Sequence, residues 1–466
     1  MEPLPIPALV VEEIGRRLDT KLLEAKMMRK LRVDVLFFLF TITLLGLANF
    51  LNTDKPAVSE LEHRALEKRP EFSAQALFSG AYFRSLENYY SDTFILRDGI
   101  VKASREIRQA FSLLGPGISI VTDCEKLPVP PETEEEPSLE EPPETEEPRS
   151  NIPVLPEVDD GDDRNVGYWL VVDGQAVQLF KFNKDNFDYY ADILNQYKAK
   201  LGKGVKIYSM IAPSNSEFVQ LKKYKGITDS QNEALNYLNS RLNPGIRSIN
   251  VYDALNSHTG EYIYFRTDHH WTALGAYYAY CAFMEARGEE PVPLGKYRRV
   301  DLEGFLGSSY SKTLDKSLEK NPDTVSVYMP FTEHEFTTYY GEEGRKSAVI
   351  DLQYADSKTD KYLVFISSGG GTWGVIKTEV GNGKRILVVK DSFGNALVPF
   401  LLPHYEEIYI VDSRFYSIGA TGKNIIQFTR DNGINEVLFM NYMENVNWHE
   451  FMEGVQALMG LEGDTD

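Results

Sequence analysis

Two short stretches of this chain hold the residue types that acyl transfer needs. The first is Arg266-Thr267-Asp268-His269-His270-Trp271-Thr272, with two of the seven histidines and an acid directly before them. In a locally extended backbone, residues two apart face the same way, so Asp268 can meet His270 while His269 points elsewhere. A carboxylate on one imidazole nitrogen fixes the tautomer and leaves the other nitrogen free as a general base. Such a pair lacks a nucleophile, and the best candidate is Ser392 in Lys390-Asp391-Ser392-Phe393-Gly394-Asn395. Alone, Ser392 reads as well as a helix cap. Together with an Asp-x-His turn at another strand end, the two stretches can meet over the C-terminal edge of a sheet, where open α/β folds place their chemistry.

The elements that must position these residues follow from the flanking pattern. Glu261–Phe265 is aromatic or β-branched after its first residue and predicts a strand. Ala273–Ala286 predicts a helix capped by Thr272. Ser392 follows the apolar strand Arg385–Lys390 and precedes a helix expected over Asn395–Leu402. Elsewhere Asp173-Gly174 between two apolar runs signals a hairpin. Helices at about 185–201 and 230–242 alternate with strands Val205–Ile211 and Ile249–Tyr252, then strand Glu407–Asp412, helix Asn424–Asp431, strand Glu436–Asn441 and a last helix Val446–Met459. Strands joined by helical crossovers imply a parallel sheet, hence an α/β fold. Residues 296–380 interrupt the alternation with short, polar pieces and read as an insertion within a domain spanning 166–466.

The formal charge of −20 over 466 residues is unevenly placed: residues 132–163 hold fourteen acids and one base. With seven prolines among residues 131–163, the region 126–165 reads as a disordered, self-repelling linker. No basic face is evident in the remainder, which argues against a nucleic-acid partner. The two cysteines, Cys124 and Cys281, do not make a disulfide framework. Val35–Leu51 is uncharged over seventeen residues, close to the roughly 20 that a membrane-spanning helix needs. The basic stretch before it predicts a cytoplasmic tail over 1–34 and everything after residue 51 outside the cell membrane. A mostly helical lead-in segment, 52–125, then precedes the linker.

Asp268-His269-His270-Trp271 followed by Lys390-Asp391-Ser392-Phe393 resembles the DHHW family of Gram-positive cell-envelope proteins. Glu62-His63-Arg64, Tyr89-Tyr90-Ser91-Asp92, Pro399-Phe400-Leu401 and Val411-Asp412-Ser413-Arg414 extend that resemblance over most of the chain. More distantly, the chain is similar to the SGNH-hydrolase-like O-acetyltransferases of alginate, whose Asp-x-His-Trp motif precedes the serine block in a permuted order. The resemblance implies an SGNH-hydrolase-like parallel sheet with flanking helices. It further implies Ser392 as nucleophile, His270 as base, Asp268 as its orienter, and no cofactor or metal. Acetyl would pass through an acetyl-serine to a polysaccharide acceptor, supplied by a membrane-bound O-acyltransferase partner. The Ser392 N–H would serve the oxyanion, with Asn215, Asn441 and Asn395 as further candidates. Two departures are Lys390, where glycine is common, and the second histidine, His269.

Three other classes fit parts of the pattern. A carbohydrate acetylesterase would use the same triad with water as acceptor. A non-catalytic glycan-binding or assembly protein would keep the fold without needing Ser392. A metal phosphoesterase is suggested by Asp268-His269-His270 with Gly369-Gly370-Gly371, but the anchor topology and Ser392 weigh against it.

Overall fold

A computed structural model describes parts of residues 37–122, and residues 168–460 apart from 220–225, 341–342, 358–360, 367–372 and 417. The expected tail 1–34, the linker 126–165 and Cys124 lie outside the described residues. The chain divides into two compact units, Met1–Ser104 and Arg105–Asp466.

In the first unit, helical residues lie between 37 and 51, β1 (Val58–Ser59) pairs with β2 (Arg64–Ala65), and α1 spans Ala81–Asp92. Asn49 is buried, and its side-chain oxygen accepts from the Ile95 N–H (3.0 Å) and Lys55 Nζ (2.8 Å). These bonds tie the apolar helical residues to the turn after α1. Among the described residues, no helix is long and apolar enough to cross a membrane.

The second unit begins with β3 (Ser119–Thr122), β4 (Tyr168–Val172) and β5 (Gln175–Leu179), a small antiparallel sheet. The β4–β5 hairpin turns at Asp173 and Gly174, both with positive φ (51° and 72°), as the two-residue Asp-Gly loop requires. The next elements are α2 (Lys184–Leu201), β6 (Lys206–Ala212), α3 (Gln231–Arg241), β7 (Ile246–Ser248), α4 (Val251–Asn256) and α5 (Ala273–Arg287). Residues 296–380 supply β8 (Arg298–Phe305), α6 (Ser308–Thr313), β9 (Asp323–Met329), β10 (His334–Tyr340), β11 (Glu343–Ser347) and β12 (Trp373–Thr378). The chain closes with β13 (Arg385–Lys390), α7 (Gly394–Leu397), β14 (Glu407–Asp412), α8 (Ile425–Asp431), β15 (Glu436–Tyr442) and α9 (His449–Ala457).

The central sheet has eight strands in the order β11-β10-β12-β14-β13-β15-β6-β7. From β14 to β7 all neighbours run parallel. Their interior strands are apolar runs, as burial on both faces demands: every residue of β15 and all but the first of β13 are buried. The stretch read as an insertion is partly sheet, because β12, β10 and β11 extend the parallel core by an antiparallel edge. Its strands are hard to recognise in the sequence because outer strands keep a polar face in water; every residue of β11 is exposed or half-buried.

Three local expectations are corrected. Ile249–Tyr252 is not a strand, because Asn250 caps α4 by accepting the Asp253 N–H at 3.1 Å. The parallel pairing with β6 falls on Ile246–Ser248 instead. The helix after Ser392 is α-helical only to Leu397 and continues as 3₁₀ over Val398–His404, since Pro399 and Pro403 cannot donate backbone hydrogen bonds. Glu261–Phe265 forms no strand of the sheet; Tyr264 makes one isolated bridge to Trp271, closing a tight loop.

Candidate active site

The C-terminal end of β13 delivers Asp391 and Ser392. Asp391 is fully buried and braces the turn: its carboxylate accepts from the Phe393 N–H (2.9 Å), the Tyr442 N–H (2.6 Å) and Asn445 Nδ2 (2.7 Å). The serine turn is thereby tied to the end of β15. The Gly394 N–H bonds the Asp391 carbonyl and the Asn395 N–H the Ser392 carbonyl, so the chain reverses immediately after the serine. Gly394 is required by close approach, since a Cβ there would lie 2.8 Å from Lys390 Cβ. The Ser392 N–H has no acceptor among the described residues.

The loop from Arg266 to Trp271 is held from beneath by Asp323, fully buried at the start of β9. Its carboxylate accepts from the Thr267 N–H (2.7 Å), the Thr267 hydroxyl (2.6 Å) and the Arg266 N–H and Nε (3.1 Å each). From above, Asp268 Oδ2 accepts from the Ser308 N–H (2.8 Å) and hydroxyl (3.0 Å) at the start of α6. Gly307 lets that backbone approach, because a Cβ would fall 2.3 Å from Asp268 Oδ2. Trp271 pins the loop to the serine turn, its Nε1–H donating to the Phe393 carbonyl at 3.0 Å. Thr272 caps α5, its hydroxyl accepting the Gly275 N–H.

These two frames bring Asp268, His270 and Ser392 into one line. Asp268 Oδ1 lies 2.6 Å from His270 Nδ1, and His270 Nε2 lies 2.7 Å from Ser392 Oγ. A carboxylate only accepts, so Nδ1 carries the proton and Nε2 is left to accept from the serine. Burial pushes the Asp268 carboxyl up, but the charge and hydrogen bonds of His270, with His269 nearby, outweigh it and hold the group well below the carboxylate range. Asp391 has no cation bonded to it among the described residues, and burial pushes its carboxyl up against the Tyr442 N–H and the charge of Arg414. The Tyr362 ring stacks on His270 at 3.9 Å and 11°, and its hydroxyl donates to the Ser392 carbonyl at 3.1 Å.

The side chains of the other expected residues have partners outside the Asp268–His270–Ser392 line or none among the described residues. His269 does not turn away: its ring packs 3.9 Å from that of His270 and its Nδ1 meets Ser308 Oγ at 2.5 Å. Burial, with the like charge of His270, pushes it down to about 3. Asn215 donates to the Ala176 carbonyl at 2.9 Å. Asn441 accepts from the Tyr190 hydroxyl at 2.6 Å, in the core beneath the sheet. The Asn395 side-chain oxygen is buried without a partner among the described residues. No hydrogen bond among the described residues joins these three side chains to Ser392 or His270. Asp268, His269 and His270 also bring one potential metal-ligand atom each within 4.8 Å of one another. An ion bound through a His270 nitrogen would displace its bond to Asp268 or Ser392. Ser308, Asp323 and Tyr362 were not foreseen. Gly307-Ser308 was legible as a helix start, whereas nothing local marks Asp323 or Tyr362.

A family model described as DHHW protein matches residues 158–411. Among solved structures the chain is similar to a DHHW family protein from Eubacterium siraeum, with TM-score 0.55 and 31% identity over 64% of this chain and 97% of that one. It is also similar to Bacillus cereus PatB1, solved with a sulfonyl adduct, with TM-score 0.52 and 22% identity over 62% of this chain and 98% of that one. At that identity the likeness establishes a shared fold. The O-acetyltransferase domain of Pseudomonas putida AlgJ aligns over 61% of this chain and 96% of that one at 12% identity, with a TM-score of only 0.34. No curated protein matches the chain. With a match running from 158 to 411, over half of the chain, and the Asp-His-His-Trp loop set against a serine turn, the chain belongs to the DHHW family.

Proposed function

We propose that this protein is a serine O-acetyltransferase that acetylates a cell-surface or secreted polysaccharide through an acetyl-serine intermediate. The observation that carries the reading is the relay from Asp268 through His270 to Ser392, with contacts of 2.6 and 2.7 Å. His270 Nε2 takes the Ser392 proton as Oγ attacks the acetyl carbonyl of a donor. The oxyanion that develops faces the Ser392 N–H, and collapse expels the donor's leaving group with the proton returned by His270. A sugar hydroxyl, deprotonated by the same nitrogen, then takes the acetyl group and frees Ser392. Asp268 holds the imidazole in the required tautomer and stabilises its cation. The sulfonyl adduct of PatB1 supports the choice of chemistry, since sulfonyl reagents capture activated hydroxyls.

The protein works outside the membrane, anchored by residues 35–51 with the tail 1–34 in the cytoplasm, and receives acetyl from a membrane-bound O-acyltransferase. Phe37, Leu39, Phe40, Leu44, Leu47 and Leu51 are all exposed, an apolar sleeve that water disfavours. The Thr41 and Thr43 hydroxyls bond back to the Phe37 and Leu39 carbonyls at 2.8 and 2.7 Å, which satisfies them inside hydrocarbon. External protease treatment of intact cells should leave only an N-terminal stub.

The test of the chemistry is intact mass. Wild-type protein incubated with a chromogenic acetyl ester should gain one acetyl group, and with a sulfonyl fluoride one sulfonyl group. Ser392→Ala should gain neither and lose on the order of 10⁵-fold or more in activity. Acetylated oligosaccharide formed on adding an acceptor selects the transferase; acetate released at the same rate with and without acceptor selects the esterase. Activity abolished by a chelator and kept by Ser392→Ala would move the assignment to metal hydrolysis at Asp268, His269 and His270.

A further inference from the structure

A second polar recess lies across α3, on the outer edge of the sheet. It measures about 350 Å³ and is lined by Asn232, Asn236, Asn239, Asn250 and Tyr252, among others. The first three recur at helical spacing and so share one face of α3. Their internal bonds leave much of their capacity unused. Asn236 Nδ2 reaches Asn232 Oδ1 at 3.4 Å, and Asn239 Oδ1 accepts from Ser248 at 2.6 Å. Each amide has two N–H donors and one carbonyl acceptor, and among the described residues the Asn232 and Asn239 amino groups and the Asn236 side-chain carbonyl have no hydrogen-bond partner.

The recess opens into a larger one of about 960 Å³, with which it shares Ser248, Asn250 and Asp253. The larger part adds Glu285, Glu289 and Glu290, and the stacked pair His258–Tyr278, whose rings lie 3.5 Å apart. Among the described residues lining the two recesses there is no lysine or arginine. Each lies in the size range of small-molecule sites, about 300–1,000 Å³.

Behind the smaller recess a row of rings packs toward the loop of Asp268 and His270, with Tyr264 and Trp271 buried in the core. Tyr252 lies 5.7 Å from Phe218, and Phe218 lies 5.8 Å from Tyr264 in a stacked arrangement. Tyr264 bridges to Trp271, which is bonded to the serine turn.

We propose that this trough is a distal subsite for the polysaccharide acceptor, and that it takes uncharged sugar units. The inference rests on the proposed glycan acceptor. Hydroxyl-rich rings offer a donor and an acceptor at each hydroxyl, matching amides beside carboxylates. Glu289 is paired with Arg287 and Lys384 at 2.8 Å each, so Glu285 and Glu290 are the acids of the wall that disfavour a uronate or phosphate polymer. A long acceptor engages the trough and Ser392 together, whereas a single sugar reaches only the nucleophile.

The test uses Ser392→Ala protein, so that binding is read without turnover. Six-unit oligosaccharides of neutral hexose, N-acetylhexosamine and uronate are titrated by calorimetry. The proposal expects a neutral or N-acetylated oligomer to bind, and Asn232→Ala, Asn236→Ala and Asn239→Ala together to weaken that binding at least about tenfold. Alanine favours the helix, so these changes should not unfold it, and an unchanged melting temperature checks this. In a Ser392 background the same triple variant should label with sulfonyl fluoride as fast as wild type and lose transfer to long acceptors only. Binding unchanged by the triple variant, preference for the uronate, or no binding by any oligomer would each overturn it. Loss of sulfonyl labelling in wild type would instead overturn the serine chemistry and leave the trough to be judged by binding alone.

Discussion

Two buried acids flank Ser392, and their surroundings act on them in opposite directions. Asp268 faces an imidazole and two hydrogen bonds from Ser308. Asp391, one residue before Ser392, faces backbone and amide donors alone. Burial acts on both, yet the first is held well below the usual carboxylate range and the second is pushed up. A charge across the hydrogen bond is worth more than neutral donors in a dry site. The acid nearer in sequence to Ser392 is therefore the brace, and the distant one joins the line through His270.

Substitutions at the two acids separate these roles. Asp268→Asn should reduce acyl transfer on the order of 10⁴-fold by favouring the wrong tautomer, with sulfonyl labelling of Ser392 slowed in parallel. If Asp391→Asn lowers activity as much while leaving stability intact, the assignment is reversed. Gly307→Ala should come next, at about 10²-fold, because a Cβ 2.3 Å from Asp268 Oδ2 displaces the carboxylate from its line. Asp391→Asn should instead lower unfolding free energy by about 1–3 kcal/mol, since an amide nitrogen faces donors where an oxygen accepted. Chemical denaturation measures that loss.

The smallest effect belongs to His269. Its imidazole is pushed from 6.5 to about 3, so between those values the unfolded chain binds a proton that the folded chain refuses. Stability therefore falls as pH falls through that window. His269→Gln should flatten the denaturation midpoint between pH 6.5 and 4. A quarter of the side chain is exposed, which keeps the change below that of a fully buried imidazole. Equal slopes in wild type and variant would refute the shift.

Much of this site was legible because its parts are local. The apolar run Arg385–Lys390 is a central strand, as its composition demands, and Thr272 caps the helix that follows the histidines. Asp268 and His270 meet because residues two apart can share a face. His269 breaks that expectation: Ser308, 39 residues further along the chain, meets its Nδ1, and its ring packs against His270. The strand expected at Ile249–Tyr252 failed because an asparagine cap outcompeted β-branched propensity.

From its sequence alone, this chain determined the alternation of strands and helices, the loop and turn that bring Asp268, His270 and Ser392 together, and the family they mark. Each depends on residues within a few positions of one another, where hydrophobic period, capping and turn chemistry act. Tertiary structure alone decided what holds the relay in line. Asp323 and Ser308 clamp the loop from a segment that reads as polar and irregular, and Tyr362 covers the imidazole from another part of it. Of the asparagines expected near the oxyanion, Asn215 bonds Ala176 and Asn441 bonds Tyr190, while the Asn395 side-chain oxygen has no partner among the described residues. Such contacts join residues far apart in the chain, and only closure of the sheet and its antiparallel edge brings them within hydrogen-bonding distance.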